Sequence, residues 1–190
     1  MINKIQVIAE VKTKSPYGFS SEKTWEELFD IANDIGDIIS VHTDARWGGS
    51  FDLIERAKKM TSKPILAKGL HYDDSEITRA YEAGADYILA VGRVPDIYKE
   101  KCLIEPLLLR DMQKIPHDSK IVWNSRDLYT GKPKKETFEQ AREIWKGWLC
   151  QASYIKTTSD IKPGADAVLV GKHLEEFSMH LKRLEKGYYL

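Results

Sequence analysis

Apolar residues fall along this chain in two alternating rhythms. Short, nearly unbroken runs occupy residues 5–11, 37–42, 64–68, 87–91, 102–105, 120–123, 148–152 and 167–170. Runs of this kind suit strands buried on both faces, as in a parallel sheet. Between them, apolar positions recur at helical spacing. Residues 21–35 place Trp25, Leu28, Phe29 and Ala32 on one face, behind Ser20 and Ser21 as capping candidates. Residues 50–60 and 74–83 repeat the pattern, and 135–146 does so with Phe138, Ala141 and Trp145. "EAGADYILAV" (82–91) and "KPGADAVLVG" (162–171) are one unit used twice: a glycine that ends a helix, then Ala-Asp, then a strand.

Eight strand signals with helices between them predict an α/β chain, a (β/α)8 barrel forming a single domain over residues 1–190. A complete barrel typically takes ~250 residues, with ~200 near the minimum. The expectation is therefore a pared-down barrel with some outer helices shortened or missing. Residues 92–101, "GRVPDIYKEK", are too few for a full helix and are interrupted by Pro95. Residues 157–164 allow at most one or two turns. The competing architecture is an open doubly wound sheet, but its glycine-rich phosphate turn is absent after the first strand.

Charge then narrows the function classes. Basic and acidic residues balance at 29 each, which gives no electrostatic case for nucleic acid or an anionic membrane. No segment approaches the ~20 apolar residues of a membrane span, and residues 1–12 lack a signal-peptide pattern. A cytoplasmic location is expected. Cys102 and Cys150 stand apart, without a Cys/His cluster, and read as reduced core thiols with no metal site.

In a barrel, chemistry gathers at the C-terminal ends of the strands. That rule collects Glu10, Lys12 and Ser15 after strand one and Lys68 after strand three. It adds Glu105 after strand five, Asn124 and Arg126 after strand six, Ser153 after strand seven and Gly171 after strand eight. Singly, each reads most simply as surface. Two lysines, two glutamates, an arginine and an asparagine at one mouth do not.

"VIAEVKTKSP", "SVHTDARWGGSFDLI", "PILAKG", "NSRDL" and "GADAVLVG", in this order, resemble the indole-3-glycerol-phosphate synthase family of tryptophan biosynthesis. The resemblance runs from about residue 5 to residue 174. It implies a lyase acting on a small phosphorylated substrate, 1-(2-carboxyphenylamino)-1-deoxyribulose 5-phosphate, with no metal or organic cofactor and a protein partner left unspecified. Lys68 matches the family's acid; a buried ammonium near other cations has a lowered pKa and can donate near neutrality. Glu105 matches the basic glutamate after strand five. Glu10 would hold the amine and hydroxyl groups, Lys12 the anionic ends, and Asn124 a substrate hydroxyl. Arg126 can take a carboxylate bidentately; its plainer reading is a partner for Asp127.

The chain also departs from the family pattern. The first strand is expected to begin at once, without the N-terminal helical extension that the family usually carries. After strand seven the expected Ser-Gly pair is Ser153-Tyr154. After strand eight stands Gly171-Lys172, where Lys172 is either a phosphate ligand or a solvated lysine. Leu70 supplies an aliphatic wall where the family has a stacking ring, and Leu169 joins the substrate-binding set. Trp47, in a glycine-containing loop, is placed as an aromatic wall for the substrate ring.

His42 reads as packed or hydrogen-bonded, His71 as a rim residue, and Trp25 and Trp145 as core. Tyr188 and Tyr189 belong to a surface tail. Two other functions compete. A phosphoribosylanthranilate isomerase-like enzyme would prefer a cysteine or aspartate at strand ends, whereas both cysteines lie inside strands. A non-catalytic barrel binding a phosphorylated ligand or a protein is favoured by Tyr154, Leu70 and the missing extension.

Overall fold

A computed structural model describes residues 5–186, so Tyr188 and Tyr189 lie outside the described residues. Eight parallel strands close in sequence order: β1 (Gln6–Val11), β2 (Ile38–His42), β3 (Ile65–Lys68), β4 (Tyr87–Val91), β5 (Cys102–Glu105), β6 (Lys120–Asn124), β7 (Leu149–Ala152) and β8 (Ala167–Val170). The pairing of β1 with β8, Gln6 opposite Ala167 and Ala9 opposite Val170, shuts the ring. The open-sheet alternative is thereby excluded.

Five α-helices are found among the described residues: α1 (Trp25–Ile35), α2 (Phe51–Met60), α3 (Asp74–Glu82), α4 (Phe138–Ile144) and α5 (Leu174–Glu185). The two connections too short for helices carry only 3-10 turns, Lys99–Lys101 and Thr158–Asp160. A third link, between β5 and β6, was not anticipated and holds only the 3-10 turn Leu109–Lys114. The cap of α1 is Thr24, not Ser20 or Ser21. Its hydroxyl accepts from the Glu27 N–H at 3.2 Å, and the Glu27 carboxylate accepts from the Thr24 N–H at 2.8 Å. That capping box satisfies two otherwise unpaired groups at once. Ser20 instead bridges Lys14 in the preceding loop.

Strand periodicity sorts the core into two layers. Ile8, Ile38, Leu66, Leu89, Leu103, Val122, Cys150 and Leu169 pack together inside the barrel. Ala9, Val11, Ile39, Val41, Ile104 and Trp123 pack outward against the helices. Two residues further along four of the strands, the inward series becomes charged or amide-bearing: Glu10 after Ile8, Lys68 after Leu66, Glu105 after Leu103, Asn124 after Val122. The apolar plug thus forms the floor on which the mouth is built.

Candidate active site

Every catalytic or substrate-binding residue nominated from sequence, the rim candidate His71 excepted, lines one of two adjoining cavities at this mouth. The larger, of about 700 Å³, is lined by Lys12, Ser15, Trp47, Lys68, Leu70, Glu105, Asn124, Arg126, Ser153 and Lys172, among others. The smaller, of about 400 Å³, adds Glu10, Leu169 and Gly171. Lys12, Lys68, Arg126, Ser153 and Lys172 border both.

Glu10, only 2% exposed, is the hub. Its Oε1 lies 3.3 Å from Lys12 Nζ and 3.2 Å from Lys68 Nζ, and it is hydrogen-bonded to His42 Nε2. Burial works to raise its pKa, but the Lys12 and Lys68 ammoniums and His42 together hold the carboxyl well below the usual range. Burial lowers the Lys12 ammonium, and although Glu10 pulls it back, Lys68 and Arg126 push it down further. Gly171 is a spatial requirement: a Cβ there would lie 2.0 Å from Glu10 Oε2 and 3.0 Å from Lys12 Nζ.

Glu105 is equally buried but differently held. Burial raises its pKa, and Lys68 and the Asn124 amide offset only part of that. Asn124 Nδ2 donates to Glu105 Oε1 at 2.9 Å, while Asn124 Oδ1 accepts from Ser153 Oγ at 2.7 Å and from the Arg126 N–H at 3.0 Å. Asn124 therefore orients the Glu105 carboxylate, and the Ser153 hydroxyl is committed to Asn124. The two carboxyls are pushed in opposite directions, the arrangement that separates an ionic anchor from a base.

Arg126 does not pair with Asp127, whose Oδ1 accepts from the N–H groups of Tyr129 and Thr130. Its Nη1 donates to the Gly131 carbonyl at 2.7 Å, and its guanidinium lies over Tyr154 at 4.7 Å. Ser153 and Tyr154 both take left-handed backbone, at φ 74° and 60°. That conformation is ordinary for glycine and costs roughly 1–2 kcal/mol for a residue with a Cβ, so Tyr154 keeps the glycine-type turn at a cost. The backbone N–H groups of Tyr154, Ile155, Gly171 and Lys172 have no acceptor among the described residues. They border the smaller cavity, a suitable lining for an anion. Lys172 is exposed and precedes α5, with no ion pair among the described residues.

Sequence reasoning missed the cover of the site. Tyr17 and Phe19, from the β1–α1 loop, line the larger cavity together with Leu128. Tyr17 Oη donates to the Leu128 carbonyl, clasping that loop to the one after β6, and its ring sits edge-on to Trp47 at 6.2 Å. His71 is not a rim residue. It is buried, with Nε2 3.0 Å from Thr43 Oγ1 and Nδ1 on the Leu89 carbonyl. Both cysteines are buried, and burial pushes their thiols up, Cys102 to about 11. Neither is placed to do acid–base work near neutrality. Among the described residues there is no His/Cys/Asp/Glu group able to hold a metal, and no helix long and apolar enough to cross a membrane.

Fold and site together define a (β/α)8 barrel with a buried cluster of ionisable side chains and two adjoining cavities at its C-terminal face. The chain matches the signature of "Indole-3-glycerol phosphate synthase" over residues 2–184. An indole-3-glycerol phosphate synthase of Bacillus cereus is 30% identical over 203 aligned positions, covering 91% of this chain and 78% of that protein. One from Sulfurisphaera tokodaii is 37% identical over 95 residues, covering 49% of this chain and 39% of that protein. The chain belongs to the indole-3-glycerol phosphate synthase family. Among solved structures, a 3-hexulose-6-phosphate synthase superposes with a TM-score of 0.63 at 18% identity, covering 93% of this chain and 99% of that one. The Salmonella typhimurium 3-hexulose-6-phosphate synthase gives 0.61 at 17%, covering 94% and 99%. At such identities the likeness speaks for the fold alone.

Proposed function

We propose that the protein closes the indole ring of 1-(2-carboxyphenylamino)-1-deoxyribulose 5-phosphate, releasing carbon dioxide and water to leave indole-3-glycerol phosphate. The observation that carries this reading is the convergence of Lys68, Glu105 and the Glu10–Lys12 pair on two adjoining cavities at one mouth, with Lys12 and Lys68 bordering both, in a chain of this family. The ring carbon bearing the carboxylate attacks the ketone carbon, and Lys68 delivers a proton to the ketone oxygen as the carbon–carbon bond forms. Loss of carbon dioxide returns an electron pair to the aromatic ring. The new hydroxyl then takes a second proton, from Lys68 once solvent has recharged it, and leaves as water, pushed by the amine lone pair, and Glu105 takes the proton from the adjacent carbon to complete the indole.

The remaining groups hold the substrate. Trp47 and Leu70 wall the aromatic ring, with Ser15 at the same mouth. Lys12 and Arg126 face the carboxylate. The phosphate end lies in the smaller cavity, against the free N–H groups around Tyr154 and Gly171, with Lys172 adding charge and Leu169 forming its apolar side. This assignment supports a prediction: Lys172→Ala should raise KM about 3–10-fold with kcat within about twofold, because the contact persists through the reaction. An unchanged KM would return Lys172 to the solvated surface.

The reading as a whole is tested by incubating the protein with the ring-opened substrate and following the indole chromophore by absorbance or fluorescence. Absence of indole product would overturn it.

A further inference from the structure

His42 ends β2 on the strand's inward side and is 4% exposed. Its Nε2 is hydrogen-bonded to Glu10 Oε1, the same oxygen that faces Lys12 at 3.3 Å and Lys68 at 3.2 Å. The ring itself is fixed. It stacks on Trp47 with 5.7 Å between centroids and 1° between planes. Behind it, Gly49 packs so closely that a Cβ there would lie 2.2 Å from the His42 carbonyl oxygen. Both His42 and Trp47 line the larger cavity.

A carboxylate flanked only by two flexible ammoniums has no preferred place between them. An imidazole clamped by stacking is a different kind of partner, because it donates from one fixed point. We propose that His42 is a positioning residue for ring closure: its Nε2–H holds the Glu10 carboxylate between Lys12 and Lys68, so that Glu10 takes one N–H of Lys68 and leaves the others for the ligand. The inference rests on the reading of Lys68 as the acid.

The tautomer follows from the surroundings. Burial pushes the imidazole down to about 4 against the pull of Glu10, with Lys68 and Lys12 adding to the fall, so the ring is uncharged at neutral pH and has one N–H to give. The contact with Glu10 places that proton on Nε2. Nδ1, buried and without a partner among the described residues, is left as the unprotonated nitrogen. A buried lone pair without a donor is the lesser cost, since a buried N–H without an acceptor is the rarer orphan.

Three variants separate positioning from packing. His42→Gln carries an amide N–H close to the place of Nε2, whereas the amide of His42→Asn falls near Nδ1 and His42→Leu keeps volume with no donor. Gln is expected to hold kcat within about threefold of the parent, while Leu and Asn lose about 10–100-fold with KM within about threefold, as for loss of a hydrogen bond to a charged group. Full activity in His42→Leu, or a Gln variant no better than Leu, would overturn the proposal. A second measurement does not depend on turnover. In ¹⁵N-histidine NMR spectra of the parent, His42 is expected as the Nε2–H tautomer with no titration between about pH 8 and pH 5.5; a midpoint near its ordinary value, or the Nδ1–H tautomer, would refute the contact. A parent that forms no indole would overturn the ring-closure role, and the NMR result would then decide the His42–Glu10 contact by itself.

Discussion

Replacing Lys68 by methionine is expected to lower kcat about 10²–10⁴-fold, and Glu105→Gln to do the same, the usual cost of losing a general acid or base. Both side chains grow from the inward series of their strands, on the apolar floor formed by Leu66 and Leu103. Their loss leaves that floor intact, so both variants should stay folded by circular dichroism and thermal unfolding. The pH profile of kcat should be bell-shaped in the parent. Its acid limb belongs to the base, which must be ionised to accept a proton, and burial places Glu105 above the ordinary carboxyl range. Glu105→Gln should therefore abolish the acid limb. If Lys68→Met kept full activity, the acid would have to be Lys12, whose ammonium burial already weakens. If Glu105→Gln kept full activity, the base would be sought at Glu10 first.

The same floor explains what was legible in the sequence. A strand buried on both faces has no polar alternation to blur it, so the eight runs stand out with ends within a residue or so of those observed. The polar residues at the mouth are legible for the opposite reason. Glu10, Lys68, Glu105 and Asn124 interrupt the inward apolar series at one end, where only a solvated or functional opening tolerates charge.

Contacts between strands are another matter. Glu10 and His42 lie 32 positions apart and meet only because β1 pairs with β2 in a register that sets Glu10 opposite Ser40. His42, read from the sequence as packed or hydrogen-bonded, is both, but its partner is set by the strand register alone. The clasp of Tyr17 on Leu128 spans 111 positions through two loops with no periodicity to read. The cap of α1 was legible and overlooked: Thr24 followed by Glu27 is a capping-box signature, and Ser20 and Ser21 lie too far upstream of Trp25 to serve it.

Gly171→Ala tests how tightly the hub is built. The added methyl has no room: it would sit 2.0 Å from Glu10 Oε2, 2.8 Å from Glu10 Cδ and 3.0 Å from Lys12 Nζ. Glu10 cannot yield freely, because His42, Lys12 and Lys68 already hold its other oxygen. Overpacking a filled interior costs about 1–3 kcal/mol, so the melting temperature should fall. A displaced Glu10 would also pull Lys68 from the ketone, and a small misplacement of a reacting group can cost about 10²-fold in rate. The origin of both losses is separable by a double-mutant cycle. Glu10→Ala alone should destabilise the protein by leaving Lys12 and Lys68 facing each other without their shared anion. In that background the methyl of Gly171→Ala meets no carboxylate, so its further effect on the melting temperature should be small. Equal costs of Gly171→Ala with and without Glu10 would mean that the glycine is needed for the backbone after β8 alone. A Gly171→Ala protein with parental stability and kcat would show that Glu10 is not pinned at all.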